Sequence, residues 1–219
     1  MKRREFITLS VGGVLIYTLN RKALWLNAAE TPVRVALRFF TADEALVVAA
    51  ACERIFPSDE NGPGAREAGV IVYIDRQLAG PYGRDELRYT KGPFIETDPG
   101  FGGYQGKESP QEIYRAGIKQ LGNDFVGLAP AQQDERLRQI EKTLFFQMVR
   151  GHTVEGMFCD PLHGGNANLV GWQMIGFPGP YMSWSDDIRK HNGEAFRPQP
   201  KSLSQILDRP IKPWEDSEK

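Results

Sequence analysis

Apolar residues recur along this chain at helical rather than strand spacing. Thr41-Ala42-Asp43-Glu44 is a capping box, in which the threonine hydroxyl takes the Glu44 amide hydrogen and the carboxylate reaches back. The stretch that follows, to about Ile55, is apolar on most sides (Leu46, Val47, Val48, Ala49, Ala50, Cys52), which predicts a central core helix. Pro57 ends it, because the residue before a proline is disfavoured in helix. A second helix is expected from about Ala65 to Ala79, with Ile71, Val72, Ile74 and Leu78 inward, stopped by Gly80-Pro81. Ser109-Pro110-Gln111-Glu112 opens a third, on which Tyr114, Ile118, Leu121 and Phe125 share a face. Leu128-Ala129-Pro130 breaks it. Residues 131–141 then predict a charged helix with Leu137 and Ile140 inward, and residues 143–158 another carrying Leu144, Phe145, Met148 and Met157. Short helical turns are expected at 83–90, after Asn168 as a cap, from Asp186-Asp187 and within 202–207. No strand pattern of comparable strength occurs, so the fold class is mainly α.

Glycine (23) and proline (15) are abundant for a helical protein. They concentrate in residues 57–64, 80–110 and 161–200, which predicts long ordered loops on a single helical domain. The N-terminus reads differently. Lys2-Arg3-Arg4-Glu5-Phe6 precedes a mildly apolar run to Leu19 that is too short to span a bilayer. Paired arginines before Phe6, ahead of a weakly apolar segment, resemble a twin-arginine export signal. Residues 1–29 are therefore expected to be a signal segment and 30–219 the domain, ending in an extended C-terminal arm. Small residues at Ala28 and Ala29 allow cleavage there, without a clean Ala-x-Ala site, and retention as an anchor stays open. Residues 30–40 alternate imperfectly and are expected to run extended over a surface. Twin-arginine export moves folded cargo, which usually carries a cofactor or travels as a complex.

With 219 residues, 41% hydrophobic and 25% charged, the chain is able to bury a core. A net charge of -1 and the lack of a basic stripe argue against nucleic acid. Two cysteines, Cys52 and Cys159, are too few for an iron–sulfur cluster, and no Cys-x-x-Cys-His run exists for a c-type haem. They allow one disulfide, within the chain or to a partner. Gly100-Phe101-Gly102 fails as a dinucleotide loop, since Gln105 stands where the third glycine belongs. His152, Cys159, Asp160 and His163 are sound metal-ligand types, but their spacing matches no familiar motif. An alternative reading remains: a self-sufficient periplasmic metal-dependent enzyme using His152, Asp160 and His163.

The richest stretch runs from Gly156 to Gly179. Asp160-Pro161 signals a turn, and Gly164-Gly165-Asn166 allows positive φ and close backbone approach. Trp172 and Phe177-Pro178-Gly179 follow. Asp160-Pro161-x-x-Gly164-Gly165-Asn166, then Gly171-Trp172 and Gly176-Phe177-Pro178-Gly179, resembles the signature of the gluconate 2-dehydrogenase subunit 3 family. The twin-arginine start and Ile55-Phe56-Pro57-Ser58-Asp59 resemble it too. His163 departs from the pattern, which has an aromatic such as Tyr there. The resemblance implies a non-catalytic small subunit with no cofactor of its own. It implies a large flavoprotein partner of the glucose–methanol–choline type carrying FAD. In many such complexes a multihaem cytochrome c is a third subunit. It also implies a periplasmic complex at the inner membrane, acting on gluconate, 2-ketogluconate, glucose, fructose or similar compounds. The small subunit then brings the signal read by the twin-arginine translocase and helps the flavoprotein mature. On this reading Asp160, Pro161, Gly164, Gly165, Asn166, Trp172, Phe177 and Pro178 form a docking or structural loop.

Overall fold

A computed structural model describes residues 36–88, 106–181 and 183–209. Arg3, Arg4, Phe6 and the Gly100–Gly102 stretch lie outside the described residues, and Leu37–Lys219 fall in one unit. Helix α1 (Ala42–Ile55) starts at Thr41 with both halves of the capping box made. It buries Ala45, Val47, Val48, Ala50, Ala51 and Cys52. Helix α2 (Val70–Ala79) begins later than its apolar pattern suggests. Gly69 precedes it with φ +68, and residues 65–69 form a turn. Only glycine takes that backbone cheaply. Tyr73, Ile74 and Leu78 reach the core from α2, while Ile71 and Val72 are half-buried.

Helix α3 (Pro110–Leu121) opens on the Ser109–Glu112 box and stops at Gly122, whose φ is +82. Phe125 is still fully buried, but from a separate 3₁₀ turn, Phe125–Gly127. Helix α4 (Pro130–Gln139) tucks in Leu137, and Ile140 follows as its C-cap. Helix α5 (Leu144–Phe158) packs on α1, α2 and α3, so it is as central as α1. Its inward residues are Phe145, Val149, His152, Thr153, Gly156 and Met157, whereas Leu144 at its first turn is exposed. Two glycines set close approaches. A Cβ on Gly117 would overlap the Phe145 ring, and one on Gly156 would press on Val70 and Tyr73. Each fully buried aliphatic or aromatic side chain in this core contributes roughly 1.5–3 kcal/mol relative to exposure.

Three short helices complete the chain: α6 (Val170–Ile175), α7 (Ser185–Lys190) and α8 (Leu203–Ile206). The last two bury no residue. Residues 81–88 form turns rather than helix, and residues 36–40 have no regular structure. Among the described residues, an isolated bridge between Asp59 and Gly62 replaces any strand. No helix of the described residues is long and apolar enough to cross a membrane.

Candidate functional site

The C-terminal end of α5 carries the corner that the sequence singled out. Cys159 is the C-cap of α5, and Asp160-Pro161 turns the chain into a 3₁₀ segment, Pro161–His163. Asp160 uses both carboxylate oxygens. Oδ1 accepts the Leu162 amide at 3.0 Å, and Oδ2 accepts the Leu203 amide of the C-terminal segment at 2.7 Å. Gly164 then takes φ +101 over Val72 and Arg76 of α2. Gly165 lies so close to α5 that a Cβ there would overlap the Gly156 carbonyl oxygen.

Asn166 is the keystone. It has no exposed surface and a φ of +46, a conformation asparagine tolerates better than most residues. Its amide donates to the Gly156 carbonyl at 2.7 Å, and its Nδ2 donates to the Cys159 carbonyl at 2.9 Å. Its Oδ1 accepts the Gly171 amide at 2.8 Å. Asn168 was the residue expected to cap the following helix, and the structure corrects this. Leu169 precedes α6 with φ +60 and no side-chain cap, and the capping oxygen comes from Asn166 instead. Asn168, at φ +55, is inside the turn.

Helix α6 crosses the end of α5 in direct contact. A Cβ on Gly171 would overlap the Met157 carbonyl oxygen. Trp172 is buried, donates Nε1–H to the Phe158 carbonyl at 2.7 Å, and meets Phe177 edge-on at 5.0 Å. Phe177 is 42% exposed above it. The Pro178 carbonyl accepts the Lys201 amide at 3.1 Å, so the chain leaves at Gly179 and returns at Lys201 through a pinned neck. Beyond the neck Tyr181 stacks on Trp184 at 3.9 Å, and His191 on Phe196 at 4.1 Å. The structure thus brings Asp160, Pro161, Gly164, Gly165, Asn166, Trp172, Phe177 and Pro178 into one corner.

The metal constellation does not assemble. His152 is held between two tyrosine hydroxyls, Tyr82 at 3.0 Å on Nε2 and Tyr114 at 2.8 Å on Nδ1. Burial holds its pKa below the ordinary histidine value, so it is neutral at neutral pH. Asp160 is occupied by backbone amides, as described. Among the described residues, no group of three or more His, Cys, Asp or Glu side chains is arranged to hold a metal ion. His163 instead borders an open groove of about 500 Å³ with Tyr73, Glu155 and Cys159. There the Tyr73 hydroxyl donates to Glu155 at 2.8 Å.

Cys52 and Cys159 are free thiols, so the intrachain bridge the sequence allowed is not formed. Cys52 is fully buried beside Thr153, and desolvation pushes its pKa up to about 12. Thr153 sits six residues before Cys159, about 9 Å along the helix axis. Burial raises the Cys159 thiol to about 11.

Sequence reasoning missed Asp75. It is 1% exposed and accepts the consecutive amides of Arg38, Phe39 and Phe40. Its signal was a lone carboxylate within the apolar row Ile71, Ile74, Leu78.

Fold and corner together define the class: a small, mainly helical domain with a glycine- and asparagine-built corner at the end of its central helix. The chain belongs to the gluconate 2-dehydrogenase subunit 3 family, whose model matches residues 42–179, from the first residue of α1 to the neck at Gly179. Membership makes it an accessory-subunit type of dehydrogenase complex. Comparison with curated proteins and with solved structures gives no match.

Proposed function

We propose that this chain is the non-catalytic small subunit of a periplasmic, membrane-associated, FAD-dependent sugar or sugar-acid dehydrogenase complex. In that role it supplies twin-arginine export to the catalytic flavoprotein and supports its maturation. The observation that carries the reading is the family match across the helical core, residues 42–179. The Arg3-Arg4-x-Phe6 start supports the export role. FAD belongs on the flavoprotein, of the glucose–methanol–choline type, and haem c on a third subunit where one is present.

Exposed aromatics support a docking role. Phe177 stands on buried Trp172, and Tyr181 and Trp184 stack at the surface, 37% and 43% exposed. Rigid aromatic side chains of this kind are typical anchors of protein interfaces. The test is co-purification. A tagged chain co-expressed with its proposed flavoprotein partner should retain that partner in stoichiometric amount, with all bound flavin on the partner polypeptide. A chain purified alone that carries flavin, haem or metal and turns over a sugar would overturn the reading.

A further inference from the structure

We propose that residues 38–40 are held as an internal ligand by a backbone-binding site on the helical core, and that this capture couples display of the export leader to completion of the fold. The export half of the proposal rests on the function proposed above.

The site is built from three helices. Asp75 of α2 is nine-tenths and more buried, and its Oδ2 accepts the Arg38 amide at 2.7 Å. Its Oδ1 accepts the Phe39 and Phe40 amides, each at 3.0 Å. Arg115 of α3 donates to the Phe39 carbonyl at 3.1 Å and lies over the Phe39 ring, 4.4 Å from its centroid. Arg115 is in turn ion-paired with Glu44 of α1, which also accepts the Thr41 amide at 2.9 Å. Phe40 is 5% exposed and packs against Tyr114. The segment is in no helix or sheet; side chains of the core grip its backbone from both sides.

The two halves need each other. A buried carboxylate deprived of its donors is costly, so the Asp75 position favours a core in which the segment is seated. The segment, in turn, has Phe40 buried and Phe39 half-buried only when α1, α2 and α3 have assembled around them. The family match begins at residue 42, so the gripped residues lie between the leader and the shared core. An incompletely folded chain would leave both phenylalanines exposed beside its leader; a folded one buries Phe40 and half-buries Phe39 under Arg115.

The experiment uses the full chain, leader included, co-expressed with its flavoprotein. Variants are Arg115→Ala, Phe39→Ala and Asp75→Asn, with Arg3→Lys/Arg4→Lys as the export control. Readouts are chymotryptic cleavage at Phe39 and Phe40 by mass spectrometry, the circular-dichroism melt of the helices, and the amount of chain in the periplasm. Arg115→Ala should raise the cleavage rate at residues 39–40 at least tenfold while the helical signal persists, and lower the periplasmic yield at least threefold. Asp75→Asn should do the same or more; if it fails to fold, Arg115→Ala, and Phe39→Ala read at Phe40 alone, carry the test. Unchanged cleavage would overturn the grip, and faster cleavage with undiminished export would overturn the coupling. If the Arg3→Lys/Arg4→Lys control is still exported, the export reading falls and the coupling with it, and the cleavage data show separately whether the grip exists.

Discussion

The corner at residues 156–179 and the excursion at 180–200 adjoin at the Pro178–Lys201 neck, and both carry prolines and aromatics, though six glycines fall in the first and Gly193 alone in the second. In the corner, Asn166 satisfies backbone groups of Gly156, Cys159 and Gly171, and Trp172 satisfies Phe158. In the excursion, α7 buries nothing, and Tyr181, Trp184, Ile188 and Phe196 remain exposed. The first region is therefore tied to the stability of the domain, and the second keeps apolar side chains at the surface. The shared prolines and aromatics hide this contrast, because burial is decided by what α5 offers the loop that follows it.

The contrast is broken most severely at Asn166. Asn166→Ala orphans the Gly171 amide and the Cys159 carbonyl, each worth about 1–3 kcal/mol when buried. It also places alanine at positive φ, a further cost of roughly 1 kcal/mol. The sum, about 3–7 kcal/mol, should lower the melting temperature by roughly 6–28 °C in a domain of this size. Gly171→Ala should cost somewhat less, about 3 kcal/mol, because its Cβ meets the Met157 backbone, which has little room to yield. A Gly171→Ala chain that melts like the parent would show that α6 is not pressed on α5.

A pH test comes next in size. Burial between Tyr82 and Tyr114 depresses the His152 pKa in the folded state, while the unfolded chain titrates near the ordinary value of about 6.5. The unfolded state takes up the proton first. The neutral-histidine contribution is thus fully present above about pH 6.5 and is lost as pH falls from there toward the depressed folded value, by at most about 1.4 kcal/mol per pH unit. His152→Gln should remove that component, so the parent's melting temperature should fall more steeply than the variant's between pH 7 and pH 5, and the gap between them should narrow. The smallest effect is expected in the excursion. Tyr181→Ala with Trp184→Ala should shift stability by no more than about 0.5 kcal/mol, as surface changes usually do, yet weaken retention of the flavoprotein in the co-purification assay.

Local signals made much of the fold legible. Thr41 and Ser109 announce α1 and α3 because a capping box is closed by residues three apart. Leu137, Ile140, Ile118 and Leu121 point inward as their spacing says. Where the reading failed, a distant or conformational partner decided. Gly69 and Gly122, at positive φ, set the start of α2 and the end of α3. Asn168 looked like a cap, but Asn166 reaches Gly171 because the turn between them runs through left-handed residues. Asp75 meets amides 35 to 37 residues away, and His152 meets Tyr82 and Tyr114 at separations of 70 and 38. No periodicity carries such pairings. Gly164-Gly165-Asn166 was legible as a place of positive φ and close approach, which Gly164 and Asn166 supply in φ and Gly165 in contact.

The central claim is that this chain escorts a flavoprotein out of the cytoplasm, and cell fractionation addresses it most directly. The flavoprotein should be found in the periplasm, with dye-linked sugar dehydrogenase activity, when co-expressed with the intact chain. It should stay in the cytoplasm when the chain is omitted or carries Arg3→Lys/Arg4→Lys. A flavoprotein that reaches the periplasm equally well in all three cases contradicts the account.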